Sequence, residues 1–265
     1  MKFIFSSYKK ALFIAFIVLF IIPKSLFAQR EKPKNLSMYD QQPYHFGFII
    51  GLNQMSYMVD YKENYQYIEH PSSEFLTGDD YNFDSDKSYY VTSLMPNPYY
   101  GFTVGVVGNL RLGKYFDLRL IPSLSFGTRR VEYQFTSVTE NKPNEFTKDL
   151  FSTFMEFPLH IKYRSKRHNN FAAYVIGGGN FKLDLASQKK YKTEEGDIKN
   201  IKVKRSDIAA EIGAGIDFYT YYFKFGVEAK MCFGLLNVLD PQGLIYDTSM
   251  DGLHNRMFQL SLTFE

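Results

Sequence analysis

The chain has 265 residues, a formal net charge of +3 and one cysteine, Cys232. Its Lys and Arg are spread rather than clustered, which argues against a nucleic-acid partner; without disulfides, an exported fold of this size must be held by a core or by a membrane. Aromatic residues make up 18% (26 Phe, 21 Tyr, no Trp), a composition that suits strands and, for Tyr, membrane interfaces.

Residues 1–28 have the layout of a secretory signal peptide. Lys2, Lys9 and Lys10 form a positive start, and Ala11 to Ile22 is an apolar run. That run is shorter than the roughly 20 residues of a spanning helix. Pro23 breaks it and Ala28 offers a cleavage site, with an uncleaved anchor as the rival reading. Residues 29–43 are polar, contain Pro33 and Pro43, and read as a periplasmic leader without structure of its own.

From residue 44 to the end the pattern changes to strict alternation. The first predicted strand, about 45–59, sets Phe46, Phe48, Ile50 and Leu52 against Gly47, Ile49, Gly51 and Asn53. A long polar segment, 60–98, follows. The second strand, about 99–112, turns tightly at Gly113-Lys114 into the third, which carries Phe116, Leu118, Leu120, Pro122, Leu124 and Phe126 on one face. A medium loop (137–148) precedes the fourth strand, about 151–163.

A basic turn leads to the fifth strand, 171–185, where Gly177-Gly178-Gly179 leaves the faces undecided. After a charged loop (186–206) come strand six, Ile208 to Phe218, and strand seven, Phe223 to Gly234. A last long loop reaches His254, and strand eight ends with Phe258, Leu260, Leu262 and Phe264 on one face.

These strands are long enough for tilted membrane crossings, and connections alternate long and short. Eight strands close a sheet without a free edge. The predicted fold is therefore an all-β, eight-stranded, antiparallel, up-and-down transmembrane barrel of a Gram-negative outer membrane. Short turns and both termini are expected in the periplasm, long loops outside, and lipid against the apolar face. A soluble lipocalin-like barrel or sandwich is the alternative; the small and charged residues of the second face weigh against it.

On the inward face fall Arg119, Glu156, Lys162, Glu211, Asp217, Lys224, Glu228 and Lys230. Adjacent strands would bring Arg119 towards Glu156, and Glu211 or Asp217 towards Lys224. Such charges are tolerable in a lumen when paired or hydrated; a structural network plugging the barrel is favoured over an ion path. The five histidines lack metal-ligand spacing. His254 with Asp247, Ser249 and Asp251 is the only rim set that resembles a catalytic cluster. No catalytic, metal or cofactor residues and no small-molecule substrate are expected.

Several segments resemble the PorT protein family. They are Tyr39-Asp40 then Tyr44-His45-Phe46-Gly47-Phe48 with Gly51-Leu52-Asn53, the hairpin Tyr100 to Gly105 through Asn109 to Arg119, Glu156-Phe157-Pro158-Leu159 with Lys162-Tyr163-Arg164, and Glu211 to Tyr219. The likeness covers nearly all of the chain after the signal peptide. It implies a non-enzymatic outer-membrane component of type IX secretion, which exports cargo with C-terminal sorting domains and, in gliding bacteria, adhesins. Partners would then be other secretion components. A general small porin or adhesion barrel shares every strand feature. Glu265 after Phe264 departs from the aromatic terminus common in such barrels.

Overall fold

The computed structural model describes residues 33–71, 88–138, 143–186, 202–241 and 248–265. The predicted signal peptide, the start of the leader and parts of four loops lie outside them. The elements are β1 (Tyr44–Tyr61), β2 (Glu69–Pro71), β3 (Ser88–Arg111), β4 (Phe116–Leu120), β5 (Ser123–Ser137), β6 (Pro143–Arg164), β7 (Phe171–Asp184), β8 (Ser206–Tyr219), β9 (Lys224–Gly234) and β10 (Met250–Phe264). Among the described residues, short 3-10 turns lie at Tyr39–Gln41 and Tyr65–Tyr67.

Every consecutive pair of barrel strands is antiparallel, and β10 pairs with β1 from Phe48↔Phe264 to Tyr61↔Met250. The sheet is thus closed. β4 and β5 form one barrel strand interrupted at Ile121-Pro122, where proline has no N–H for the ladder. Its carbonyl still accepts from the Val106 N–H at 3.0 Å. Eight barrel strands result, as the alternation predicts, with β2 as a small addition beside β3.

The apolar face of each strand points outwards. Phe46 and Ile212 are 71% and 62% exposed, while their chain neighbours Gly47 and Glu211 face inwards. The outward side chains are banded. Near the short turns they include Tyr44, Phe116, Tyr163, Phe218 and Phe264; midway they are aliphatic, such as Val106, Ile161, Val227 and Leu260. Towards the long loops aromatic rings return, with Tyr100, Phe126, Phe181 and Phe233. Aliphatic side chains flanked by two aromatic girdles form the surface that a bilayer solvates.

Three strands reach beyond this band. β3 begins at Ser88, eleven residues before the expected start, and β6 begins at Pro143 inside the expected loop. With β5 they form a wall, paired from Tyr89↔Ser137 to Pro98↔Arg129 and from Ser123↔Glu156 to Thr136↔Pro143. The inner face of the wall is apolar. Tyr89, Val91, Val131, Tyr133 and Phe135 pack with Val203, Val238, Leu239 and Leu253 from the facing loops and β10. Its outer face is polar, with Asn97 donating to Glu132 at 2.7 Å and Arg130 clasping Asp149 through two bonds.

Candidate functional site

The interior of the barrel is the chemically rich part. The long charged side chains come mainly from β4, β6, β7, β8 and β9, whereas β1, β3, β5 and β10, Arg129 excepted, contribute uncharged ones, many of them small. Asn53 donates to the Thr103 hydroxyl at 2.8 Å, and Thr103 shares a 2.8 Å bond with Ser125. An eight-stranded barrel has width for one set of side chains, so long residues on one half require short ones opposite.

Four levels of contact follow from the short turns upwards. At the lowest, Lys162 reaches Asp217 at 2.7 Å, and Lys224 lies 2.7 Å from Glu265 and 3.8 Å from Asp217. Next, the Arg119 guanidinium meets Glu228 at 2.5 Å, with both side chains wholly buried, and the Tyr174 hydroxyl donates to the same carboxylate at 2.9 Å. Above that, Glu211 accepts from Lys230 at 3.0 Å and lies 2.7 Å from the His160 ring nitrogen. Asn180 spans from Glu211 to Glu156, and Lys182 is 3.7 Å from Glu156. At the top, Arg129 pairs with Asp184 at 2.6 Å, its guanidinium 4.8 Å from the rings of both Tyr57 and Phe154.

All eight residues singled out in the sequence are buried here. Their partners differ in one respect from the adjacent-strand expectation. Arg119 meets Glu228 across the lumen, and Glu156 is engaged instead by Asn180 and Lys182. Asp217 does approach Lys224. The sequence reading omitted Arg129, Lys182, Asp184 and Glu265 from this network.

The three glycines of β7 explain one of the contacts. Inward residues of β7 run Ala172, Tyr174, Ile176, Gly178, Asn180, Lys182 and Asp184 without a change of phase. Gly178 lies between His160 of β6 and Glu211 of β8 in the pairing register. With no side chain there, the two flanking groups meet over it. A Cβ at Gly178 would stand 2.0 Å from the Leu159 carbonyl oxygen, whereas at Gly177 or Gly179 the first contact is at 3.9 Å.

The short-turn mouth is covered by residues 35–42, which composition alone reads as unstructured. The Asn35 N–H donates to the Asn170 side chain at 2.9 Å, and its amide donates to the Tyr219 carbonyl at 3.1 Å. Tyr39 stacks on His45 with ring centres 3.8 Å apart and donates its hydroxyl to Glu265 at 3.2 Å. Asp40 is the hub: its carboxylate accepts from Arg164 at 2.6 Å and Tyr219 at 3.1 Å, and Arg167 lies 3.8 Å away. Its carbonyl also accepts from Arg111. Burial pushes the Asp40 carboxyl up, but the Arg164 charge and the bonds from Arg164 and Tyr219 outweigh this and hold it below its ordinary value.

The other candidates gather nothing of the kind. His254 lies on β10, 3.3 Å from Asp60, and Asp247 falls outside the described residues. Among those residues no group of three or more His, Cys, Asp or Glu could hold a metal ion.

A family model described as outer membrane protein beta-barrel domain matches residues 27–240. The chain belongs to this family. As an outer membrane β-barrel protein it has its aliphatic band and aromatic girdles in lipid and its charged network in the lumen. Solved barrels are similar at low identity. The N-terminal barrel domain of Pseudomonas aeruginosa OprF is 12% identical, with 84% of this chain and 98% of that one covered and a TM-score of 0.32. Yersinia pestis Ail, solved with the heparin analogue sucrose octasulfate, is 12% identical with the same coverage and a TM-score of 0.33. Pseudomonas aeruginosa OprG is 13% identical, covering 84% and 96%, with a TM-score of 0.33. No curated protein matches the chain significantly in sequence.

Proposed function

We propose that this outer membrane barrel is a sealed, non-catalytic scaffold that acts through protein contacts, as a component needed for type IX secretion. In this reading a signal peptide, residues 1–28, is removed on export. The short turns and both termini lie in the periplasm, and the wall of β3, β5 and β6 projects outside. The buried charges of the lumen, Arg119, Glu156, Lys162, Glu211, Asp217, Lys224, Glu228 and Lys230, serve structure rather than conduction.

The observation that carries contact over transport is the filling of the lumen. Ion pairs close it at four levels, the apolar cluster under the wall covers one mouth, and residues 35–42 cover the other. A path for solute would have to break several buried pairs, each strongly held in low dielectric. The secretion assignment is supported by the PorT resemblance in the hairpin from Tyr100 to Arg119.

Deletion of the gene tests the role. Export of cargo with C-terminal sorting domains should fail in the deletion strain and return with the wild-type copy; normal export would sink the proposal. The runner-up, a small porin or adhesion barrel, predicts steady single-channel conductance or surface binding by the purified protein, with secretion intact.

A further inference from the structure

Residues 35–42 are fastened to the barrel unlike anything else in it. None of the eight is fully buried, and apolar contact with the barrel is confined to the Tyr39 ring, which stacks on His45 and meets Tyr219 edge-on. They join no strand ladder; their internal bonds are the 3.1–3.2 Å turns from Tyr39, Gln41 and Gln42. Attachment rests on the polar contacts of Asn35, Tyr39 and Asp40 and on the stacking of the Tyr39 ring. Segments held in this way sit at the low end of local stability.

The barrel groups that grip the segment also have second partners of their own. Arg164, besides Asp40, lies 3.7 Å from Asp117. Glu265, besides Tyr39, holds Lys224 at 2.7 Å. Arg167 donates to the Asn169 carbonyl and the Asn170 side chain, and its guanidinium stacks 3.8 Å over the Tyr219 ring. Undocking therefore leaves Arg164 and Glu265 charge-paired and Arg167 hydrogen-bonded, unlike the rupture of a lumen pair such as Arg119–Glu228.

Directly beneath lies a polar region that the protein alone does not satisfy. Asp217 Oδ1, Thr263 Oγ1, Gln259 Oε1 and Arg119 Nε are buried and, among the described residues, have no hydrogen-bond partner, and Glu265 Oε1 faces Arg119 only as an ion pair at 3.8 Å, beyond hydrogen-bond reach. Gln259 lies beside Gly51 and Ser261, and Thr263 and Asp217 flank Gly226, positions lined by small residues. Buried polar atoms in such numbers are normally met by enclosed water.

We propose that residues 35–42 are a releasable lid, keyed by Asp40, over a hydrated chamber in the lower lumen. Release opens the chamber to the solvent at the short-turn end, while Arg119–Glu228 and the pairs above keep the barrel closed to passage. The lid is a two-state element whose docking depends on one carboxylate and three facing cations or donors: Arg164, Arg167 and Tyr219.

The test uses the full processed chain in detergent micelles. Trypsin cleavage at Lys34–Asn35, followed by intact-mass spectrometry, reports release. Asp40→Asn should raise the cleavage rate by about tenfold, the factor expected for loss of one charge-assisted hydrogen bond, with the heat-dependent gel shift of the barrel unchanged. In the wild type, raising salt from about 0.05 M to about 1 M should accelerate cleavage, because partly exposed charges are screened. In a Cys232→Ser background, Thr263→Cys should resist a small water-soluble thiol reagent with the lid intact and react once Asp40→Asn is added. Wild-type cleavage in Asp40→Asn overturns the lid, as does salt-independent cleavage if that variant fails to fold. An unreactive Thr263→Cys in the released state overturns the chamber.

Discussion

Replacing Arg119 with methionine removes a fully buried cation of the lumen and leaves Glu228 buried without it. Both side chains are wholly shielded from solvent and 2.5 Å apart. Removing one member of such a pair typically costs about 3–5 kcal/mol, because the survivor is an uncompensated charge. Glu228 retains the Tyr174 hydroxyl at 2.9 Å, which places the expected loss near the lower figure, about 3 kcal/mol. Glu228→Gln should cost a similar amount, since Arg119 then keeps only Glu265 at 3.8 Å. The double variant Arg119→Met/Glu228→Gln removes both charges and should lose about 1–2 kcal/mol, a coupling of roughly 4 kcal/mol across the cycle. The assay is urea unfolding in micelles, scored by the heat-dependent gel shift, with an unchanged slope required for comparison. Arg130→Gln, which breaks the half-exposed pair with Asp149 on the wall, should scarcely move the midpoint. If Arg119→Met is neutral, or the double variant is as costly as the sum, the lumen is solvated like the surface and the sealed interior is wrong.

Gly178→Ala drives a Cβ to 2.0 Å from the Leu159 carbonyl oxygen, so the fraction of protein showing the folded gel shift should fall sharply. Gly177→Ala and Gly179→Ala, with first contacts at 3.9 Å, should fold normally; equal behaviour of the three would refute the close approach. The lid should respond to acid in one direction. Because the Asp40 carboxyl is held below its ordinary value when docked, docking is complete above the ordinary carboxylate range and is lost as pH falls through the depressed value. A spin label at Met38→Cys in a Cys232→Ser background should sharpen on acidification; a line shape that loosens instead as pH rises would contradict the sign. Phe135→Ala should destabilise the wall by about 3–5 kcal/mol, the usual loss for a buried aromatic, exposing β3 and β5 to protease while the barrel keeps its gel shift. Unaltered protease resistance would show that the apolar cluster does not hold the wall.

Strands whose two faces differ throughout were legible at once. In β9 and β10 the alternation from Phe225 to Phe233 and from Phe258 to Phe264 has no interruption, and the closed register matches it residue for residue. The first half of β3 was not legible, because Pro96 and Pro98 argue against a strand. Its inward apolar residues Tyr89, Val91 and Leu94 also change spacing at a register shift between Val91 and Ser93. That irregularity hid the wall. Inward charges could be assigned to a face but not to a partner, since alternation carries no information about depth across a lumen; Arg119 thus found Glu228 rather than Glu156. Lys182 and Asp184 were lost at the glycine triplet, although their phase continues unbroken from Ala172 and Tyr174. The lid left no local trace. Its polar composition has no period, and its three anchoring side chains bind turns and strand ends far along the chain.

The absence of tryptophan allows the outward-facing belt to be tested with a single fluorophore. Leu260 sits in the aliphatic part of β10, outward, between Leu52 and Ala229 in the register. In vesicles, Leu260→Trp should be quenched by lipids brominated along their acyl chains and be untouched by aqueous iodide. Quenching by iodide with none from brominated lipid would place this face in water and contradict the barrel's orientation towards the membrane.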